Sequence, residues 1–122
     1  MTKHISAAHL KLKRAYEAPA RDDGTRILVD RLWPRGLKKE AAAIDHWFKE
    51  IAPSTELRKW FSHDPERWSE FRRRYTRELR AHADQLESIR DLARRGTVTL
   101  IYSARDEQHN DAVVLHKILL DS

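Results

Sequence analysis

The chain has 122 residues, of which 35% are charged and 40% are hydrophobic, and 24 Lys and Arg against 19 Asp and Glu give a formal net charge of +5. The absence of cysteine excludes disulfide frameworks, thiolate metal sites and cysteine nucleophiles, and no apolar run approaches the roughly 20 residues that cross a bilayer. The length predicts one domain over residues 1–122. Because the first residues lack the apolar core of a signal peptide, we expect a cytoplasmic protein without membrane association.

Two strand patterns open the chain. Residues 9–16 alternate apolar and polar side chains, which is typical of a half-buried strand. The polar, turn-rich residues 19–24 predict a loop. Residues 26–32 contain the run Ile27-Leu28-Val29, which favours a strand covered on both faces, and Pro34 and Gly36 end it.

Helical patterns follow this second strand. Apolar residues at positions 41, 44, 47, 48 and 51 predict an amphipathic helix that Pro53 ends. Ser54 is a good N-cap for a short helix, and Asp64 followed by proline predicts the start of a long one. The long helix is expected to break near His82 and to end at a left-handed Gly96. Its predicted core face consists of Trp68, Phe71, Tyr75 and Leu79.

The chain closes on a strand, a polar turn and a helix, predicted over residues 97–102, 103–110 and 111–120. The order of elements predicts an α/β fold: a small, mainly parallel sheet of three or four strands, formed by residues 9–16, 26–32 and 97–102 and covered by helices. In such sheets ligands bind beyond the carboxyl ends of the strands. Two polar loops follow predicted strands, and both are candidate sites.

The first candidate loop follows the strand at residues 26–32 and contains Asp30, Arg31, Trp33, Arg35 and Gly36. The arginines offer donor forks suited to phosphate or carboxylate, the indole offers a flat face for stacking, and the glycine permits close backbone approach. Asp30 is expected to fix one arginine through an ion pair. Alternatively, Asp30 and Arg31 only tie the loop down while Trp33 fills core.

The second candidate loop follows the strand at residues 97–102 and contains Ser103, Arg105, His109 and Asn110. Backbone N–H groups at the start of the next helix attract anions, Arg105 carries a positive charge, and the imidazole of His109 can donate a proton. Alternatively, the segment caps the helix, with Ser103 and Asp106 spaced as in a capping box.

Together, the two loops are expected to face each other across one cleft that binds a small anionic, phosphorylated ligand, because both strands would end at the same sheet edge. If the protein is an enzyme, His109 is the acid–base group and Ser103 the hydroxyl beside it. We predict no cofactor, and the seven histidines show no metal-binding spacing. The sequence does not indicate an oligomeric state.

A competing hypothesis is a binding module without chemistry. Residues 72–80 are rich in arginine, and Arg73, Arg77 and Arg80 share one helix face that can follow the phosphates of nucleic acid or contact a protein. Glu70 and Glu78 dilute this charge, so the face can equally be a solvated, ion-paired surface. The overall net charge is compatible with an anionic partner or with solubility alone.

The stretches RILVDRLWPRGLKKE, AIDHWFKEIAPSTELRKWFSHDPERWSEFRRRY and LIYSARDEQHNDAVVLHKIL cover most of the chain beyond residue 25. They resemble the YeaO-like family of small bacterial proteins, a domain of unknown function (DUF488). The resemblance implies no settled activity. In a weaker likeness to rhodanese and phosphatase anion loops, Ser103 stands where those carry cysteine, which excludes sulfur transfer and cysteinyl-phosphate chemistry here.

Overall fold

A computed structural model describes residues 5–121. The strands are β1 (Leu10–Arg14), β2 (Thr25–Leu28), β3 (His46–Trp47) and β4 (Val98–Tyr102). The helices are α1 (Lys39–Ala42), α2 (Thr55–Phe61), α3 (Trp68–Leu79), α4 (Ala83–Arg95) and α5 (Asp111–Leu120). Short 3-10 turns span Ala7–His9, Arg21–Asp23, Lys49–Ile51, Pro65–Arg67 and Arg80–His82.

The four strands form one parallel sheet in the order β1-β4-β2-β3. The last strand, β4, is central and pairs with β1 from Leu10 opposite Val98 and with β2 from Thr25 opposite Val98. The predicted α/β fold with a small parallel sheet is therefore confirmed, and the three predicted strands pair as expected. Because all strands run the same way, their carboxyl ends lie at one edge of the sheet.

Both faces of the sheet are covered. Ile27, Leu28 and Val29 are fully buried, and so is nearly all of β4, as the apolar runs predicted. The larger core lies between the sheet and the helices α2–α5 and contains Phe71, Tyr75 and Leu79, while the partly buried Trp68 packs at its margin. A smaller cluster around Leu28 on the other face is covered by side chains of the segment after β2.

The helix predicted across positions 41–51 is wrong. Only the single turn α1 forms, Ala43 is left-handed with φ 49°, and residues 46–47 make the edge strand β3. The buried guanidinium of Arg26 donates to the carbonyl oxygens of Ala42 and Ala43, which a continuing helix would need as acceptors for the N–H groups four residues on. Asp45 then bonds the edge of β2 through both its backbone and its carboxylate.

The predicted caps have mixed outcomes. Ser54 Oγ accepts from the Leu57 N–H, which confirms the predicted N-cap of α2. Asp64 Oδ1 accepts from the Glu66 N–H and so caps the 3-10 turn Pro65–Arg67, whereas α3 begins directly afterwards at Trp68 without a side-chain cap. A 3-10 turn does interrupt the long helical region at Arg80–His82. Gly96 ends α4 with an extended φ of 178°, so the predicted left-handed cap there is wrong. Each of the three predicted strands is also shorter than predicted, although β2 begins one residue earlier, at Thr25.

Arg26 belongs to a buried ionic network at the amino end of the sheet. Its Nη1 lies 2.6 Å from Asp23 Oδ2, and Lys13 Nζ lies 3.2 Å from the same carboxylate. Burial alone would raise the pKa of Asp23, but hydrogen bonds from the Ala20 N–H, Lys13 and Arg26 bring it below its ordinary value. This network fixes the loop between β1 and β2.

No helix in residues 5–121 combines the length and the apolar character that a membrane-spanning segment requires.

Candidate functional site

A cleft of about 1340 Å³ opens at the carboxyl edge of the sheet. The loop after β2 and the loop after β4 both line it, and α2 closes a further side. All but one of the predicted site residues line this cleft, namely Asp30, Arg31, Trp33, Arg35, Ser103, Arg105, His109 and Asn110.

Gly36 is the exception, because it does not line the cleft. Its φ of 77° places it in the left-handed region within the tight turn closed by the Leu37 N–H and the Pro34 carbonyl. A Cβ at this position would meet no atom within 4 Å. The glycine therefore serves the turn rather than a close approach of backbone to a ligand.

Asp30 joins the two loops. Its Oδ2 accepts hydrogen bonds from the Ser103 N–H at 2.9 Å and from the Ser103 hydroxyl at 2.6 Å. The expected ion pair between Asp30 and an arginine of its own loop does not form. Arg14, the last residue of β1, donates to the carbonyl oxygens of Ser103 and Ala104 and so fixes the second loop from the other side.

Trp33 is partly buried against the small cluster of core residues on its face of the sheet, as the structural alternative predicted. Its indole N–H donates to the Leu37 carbonyl, and its ring meets Trp47 edge to face at 5.6 Å. The residue also lines the cleft.

Arg31 reaches across the cleft toward α2. One of its terminal nitrogens donates weakly to the Pro53 carbonyl at 3.5 Å, while its buried Nε finds no acceptor within residues 5–121. A buried donor without an acceptor costs roughly 1–3 kcal/mol. Arg35 and Arg105 lie exposed along the rim.

The start of α5 is capped by the protein itself. Asn110 Oδ1 accepts from the Val113 N–H, and its Nδ2 donates to the Asp106 carbonyl, so both polar ends of this buried side chain are engaged. Asn110 is the cap, and the predicted Ser103–Asp106 capping box is wrong. Asp106 instead accepts from the N–H groups of Gln108 and His109, and these bonds lower the pKa of its carboxyl.

Ser103 and His109 are engaged separately. The serine hydroxyl donates to Asp30, whereas His109 Nδ1 lies 3.0 Å from Asp106 and its ring meets Trp68 edge to face at 5.2 Å. Each side chain thus uses a different carboxylate. The arrangement lacks the nucleophile–base hydrogen bond that activates a serine.

Four charged residues that line the cleft lie outside the two candidate loops predicted from the sequence, namely Arg14, Arg58, Lys59 and Asp111. Arg58 projects from α2 into the cleft, and Asp111, the first residue of α5, lies on the opposite side. At the first position of a helix, a carboxylate such as Asp111 is explained by its favourable interaction with the helix dipole. The sequence alone therefore does not indicate that Asp111 also lines a cleft. Arg58 carries no local signal, because its position depends on how α2 packs. Arg14 was recoverable, since it ends a predicted strand at the relevant edge.

Asp111 and Asp30 share the interior of the cleft. Burial and, next, the negative charge of Asp30 together raise the pKa of Asp111 to about 7, although the N–H groups of Asp111 and Ala112 and the charge of Arg58 lower it. Burial also raises the pKa of Asp30, which its bonds from Ser103 and the charge of Arg58 oppose. Two carboxylates that face each other in a partly buried site favour holding a proton between them.

We expect Asp111→Asn to remove a pH-dependent destabilisation. Because the folded pKa of Asp111 is about 7 against an ordinary 3.8, the folded state binds its proton more tightly than the unfolded state, and stability falls as the pH rises between these values. The variant should therefore gain stability over the parent at pH 8 and gain little or none near pH 4. Urea unfolding of both proteins across this range measures it; a difference that does not change with pH would contradict it.

The surroundings of the cleft are basic overall. Six cationic side chains face three carboxylates among the lining residues. The cations are Arg14, Arg31, Arg35, Arg58, Lys59 and Arg105. Within residues 5–121 no group of three or more His, Asp or Glu side chains is arranged to hold a metal ion.

The arginine-rich face of α3 lies elsewhere and is partly neutralised. Arg73 and Arg74 both bind Glu70, and these hydrogen bonds lower the pKa of the glutamate to about 2. Arg74 also lies over the ring of Trp60 at 4.3 Å. The exposed cations that remain on this stretch are Arg72, Arg77 and Arg80.

Fold and site together define a small parallel α/β domain with a charged cleft at the carboxyl edge of its sheet. The chain belongs to the DUF488 family: the family model described as "Inactive DUF488-N3 subclade" matches residues 9–122. The chain is 46% identical over 107 residues to the uncharacterized protein YeaO of Escherichia coli, which covers 88% of this chain and 93% of the relative. An uncharacterized protein of Mycobacterium tuberculosis is 40% identical over 115 residues, covering 94% and 97%. No solved structure matches the chain significantly.

These relatives confirm the resemblance to the YeaO-like family that the three sequence stretches indicate. Two of those stretches carry the loops that line the cleft, and the third carries α2 and α3.

Proposed function

We propose that this protein binds a small anionic, phosphorylated molecule in the cleft and does not transform it. The observation that carries the proposal is the set of cationic side chains around one cavity, among them Arg31, whose guanidinium makes only a long hydrogen bond of 3.5 Å, to the Pro53 carbonyl, within residues 5–121. An arginine fork of this kind suits a phosphate or carboxylate group.

The hydrogen bonds of the two candidate catalytic side chains favour a protein that binds its ligand and does not catalyse a reaction on it. Ser103 donates to Asp30, and His109 lies against Asp106 and Trp68, so neither is poised to act on the other. The description of the matching family model as inactive points the same way.

The anion would sit on the arginine side of the cleft rather than at the start of α5. Asn110 already accepts from the Val113 N–H, and the carboxyl group of Asp111 lies at the same helix start, where the N–H groups of Asp111 and Ala112 lower its pKa. The second loop therefore offers Arg105 as its ligand-binding group, while Asn110 acts through the cap. Arg31 and Arg58 approach the same space from the first loop and from α2.

We expect Arg31→Ala and Arg58→Ala each to weaken the binding of methyl phosphate roughly 10-fold or more, because a hydrogen bond to a charged group contributes about 1.5–3 kcal/mol. Arg77→Ala is the matched control, since Arg77 is an exposed cation on α3 outside the cleft. Isothermal titration calorimetry of the folded variants measures the affinities. Failure of methyl phosphate to bind at millimolar concentration, or equal affinities in all variants, would refute the proposal.

The alternative function is nucleic-acid or protein binding through the arginine-rich helix, and the exposure of Arg72, Arg77 and Arg80 is what favours it. The same variants separate the two functions. Salt-sensitive binding of an oligonucleotide that Arg77→Ala weakens and Arg31→Ala preserves would indicate the helix as the binding surface.

A further inference from the structure

The interior of the cleft contains carboxyl groups as well as cations. These carboxyl groups restrict the chemical nature of the rest of a ligand whose phosphate is bound by the arginines. Asp30 and Asp111 both line the cavity and interact electrostatically. A ligand consisting of phosphate alone would leave these carboxyl groups unused and would be repelled by them. An apolar substituent beside the phosphate would bury them without a hydrogen-bond partner, which is costly.

Asp30 is held in a fixed orientation with one oxygen to spare. Both hydrogen bonds from Ser103 end on Oδ2, and Oδ1 has no partner within residues 5–121. The carboxyl group of Asp111 forms no side-chain hydrogen bond or ion pair in the same described range, and the N–H groups of its own helical turn only lower its pKa. The two carboxyl groups therefore present acceptor oxygens that a ligand can use.

Arg58 lies where it attracts both carboxylates, yet it forms a hydrogen bond or close ion pair with neither within residues 5–121. The three groups thus surround a gap rather than closing on one another. A ligand group that fills this gap would be bounded by two carboxyl groups and one guanidinium.

The charge around this gap selects a neutral donor. Burial and the neighbouring Asp30 raise the pKa of Asp111 toward neutral pH, so the two carboxyl groups together carry less than two full negative charges there, and the positive charge of Arg58 acts on both. An ammonium group would gain little Coulomb attraction there and would meet Arg58. A hydroxyl group can donate to a carboxylate oxygen and accept from the guanidinium at no cost in charge.

We infer that the ligand of the cleft is a phosphorylated polyol, such as a sugar phosphate, whose hydroxyl groups hydrogen-bond to Asp30 and Asp111 while arginines hold its phosphate. This inference rests on the proposed function and adds the chemical class of the ligand. Asp30 and Asp111 become the residues that determine specificity.

Calorimetry with three phosphate monoesters tests this inference: ribose 5-phosphate, methyl phosphate and phosphoethanolamine. We expect ribose 5-phosphate to bind the unmodified protein at least about 10-fold more tightly than methyl phosphate, since each hydrogen bond to a charged acceptor is worth roughly 1.5–3 kcal/mol. Asp30→Asn and Asp111→Asn should each remove most of that advantage, because an amide nitrogen replaces an acceptor oxygen, while methyl phosphate binds as before or more tightly. Glu56→Gln, on an exposed carboxylate of α2 that does not line the cleft, is the matched control.

The outcomes separate the two proposals. If methyl phosphate binds but ribose 5-phosphate binds no more tightly, or if phosphoethanolamine binds most tightly, the inference about the polyol is overturned and the proposed anion site remains. If none of the three monoesters binds, the proposed function is overturned and the inference with it. The comparison of ligands on the unmodified protein decides the question even if an aspartate variant fails to fold.

Discussion

Replacing Asp23 with alanine is expected to lower the free energy of unfolding by roughly 3–5 kcal/mol, because it breaks a buried ion pair by removing one partner. Asp23 and Arg26 are 4% and 3% exposed, and the guanidinium would lose its counter-charge while remaining buried. Lys13 and the Ala20 N–H would lose their acceptor at the same time. Urea denaturation monitored by circular dichroism measures the loss.

The neighbouring aspartate provides the control for this prediction. Asp22 is 81% exposed at its side chain and lies 3.6 Å from Lys11, so Asp22→Ala should cost no more than about 1 kcal/mol. The pKa of Asp23 is lowered by folding, so its stabilisation is complete above the ordinary carboxyl pKa of 3.8 and is lost as the pH falls below it. A loss for Asp23→Ala no larger than that for Asp22→Ala would contradict the network's role.

The second large effect is expected from Gly24→Ala. A Cβ on Gly24 would lie 2.1 Å from the carbonyl oxygen of Thr97, at the point where the Thr25 N–H bonds that same oxygen at 2.9 Å. The atom that the Cβ would meet belongs to the backbone of Thr97, directly before the central strand β4. A backbone atom held in the sheet cannot move aside as the end of a flexible side chain can. Together with a φ of 65°, the clash should cost about 2–5 kcal/mol.

Gly36→Ala isolates the conformational part of this cost. Gly36 has a similarly positive φ of 77°, but an added Cβ there meets nothing within 4 Å. Its substitution should cost only about 1–2 kcal/mol, the penalty of a left-handed conformation alone. Thermal or urea unfolding of both variants gives the comparison, and equal losses would show that the approach to Thr97 is relieved by small backbone shifts.

Much of the fold follows from local patterns that tertiary packing reinforces. The run Ile27-Leu28-Val29 and the strand at residues 97–102 are apolar on both faces, and a strand of that kind has few places to lie other than the middle of a covered sheet. Once two such strands are parallel, the loops beginning at Asp30 and Ser103 must emerge at one edge. For this reason the sequence alone was sufficient to predict that the residues of these two loops lie in one cleft.

The segment between residues 39 and 51 shows where periodicity misleads. Its apolar residues recur at helical spacing, yet the segment does not continue as a helix. Arg26, which lies outside the segment, hydrogen-bonds to the carbonyl oxygens of Ala42 and Ala43, which a continuing helix would need for its own hydrogen bonds. A strand of two residues is also too short to show alternation. No inspection of the segment alone reveals either fact.

The acidic pair in the cleft was missed for a related reason. Asp111 at the first position of a helix satisfies a local rule so well that no second role is needed, and Asp30 was expected to bind an arginine of its own loop. Only the packing of α5 beside β4 and of α2 above the sheet brings Asp30, Asp111 and Arg58 around one space. Such clusters depend on the relative placement of elements, which sequence spacing does not encode.

The place of β4 at the centre of the sheet has a consequence for how the chain reaches its native state. β1 and β2 do not pair with each other; each pairs with a strand that the ribosome makes more than two-thirds of the way along the chain. Contacts so distant in sequence slow folding, because a long loop must close before any pairing energy is gained. Until residue 102 has emerged, a growing chain therefore carries β1 without a partner strand and β2 with the edge that β4 later covers still unpaired. In that interval these strand edges are open to association with other chains.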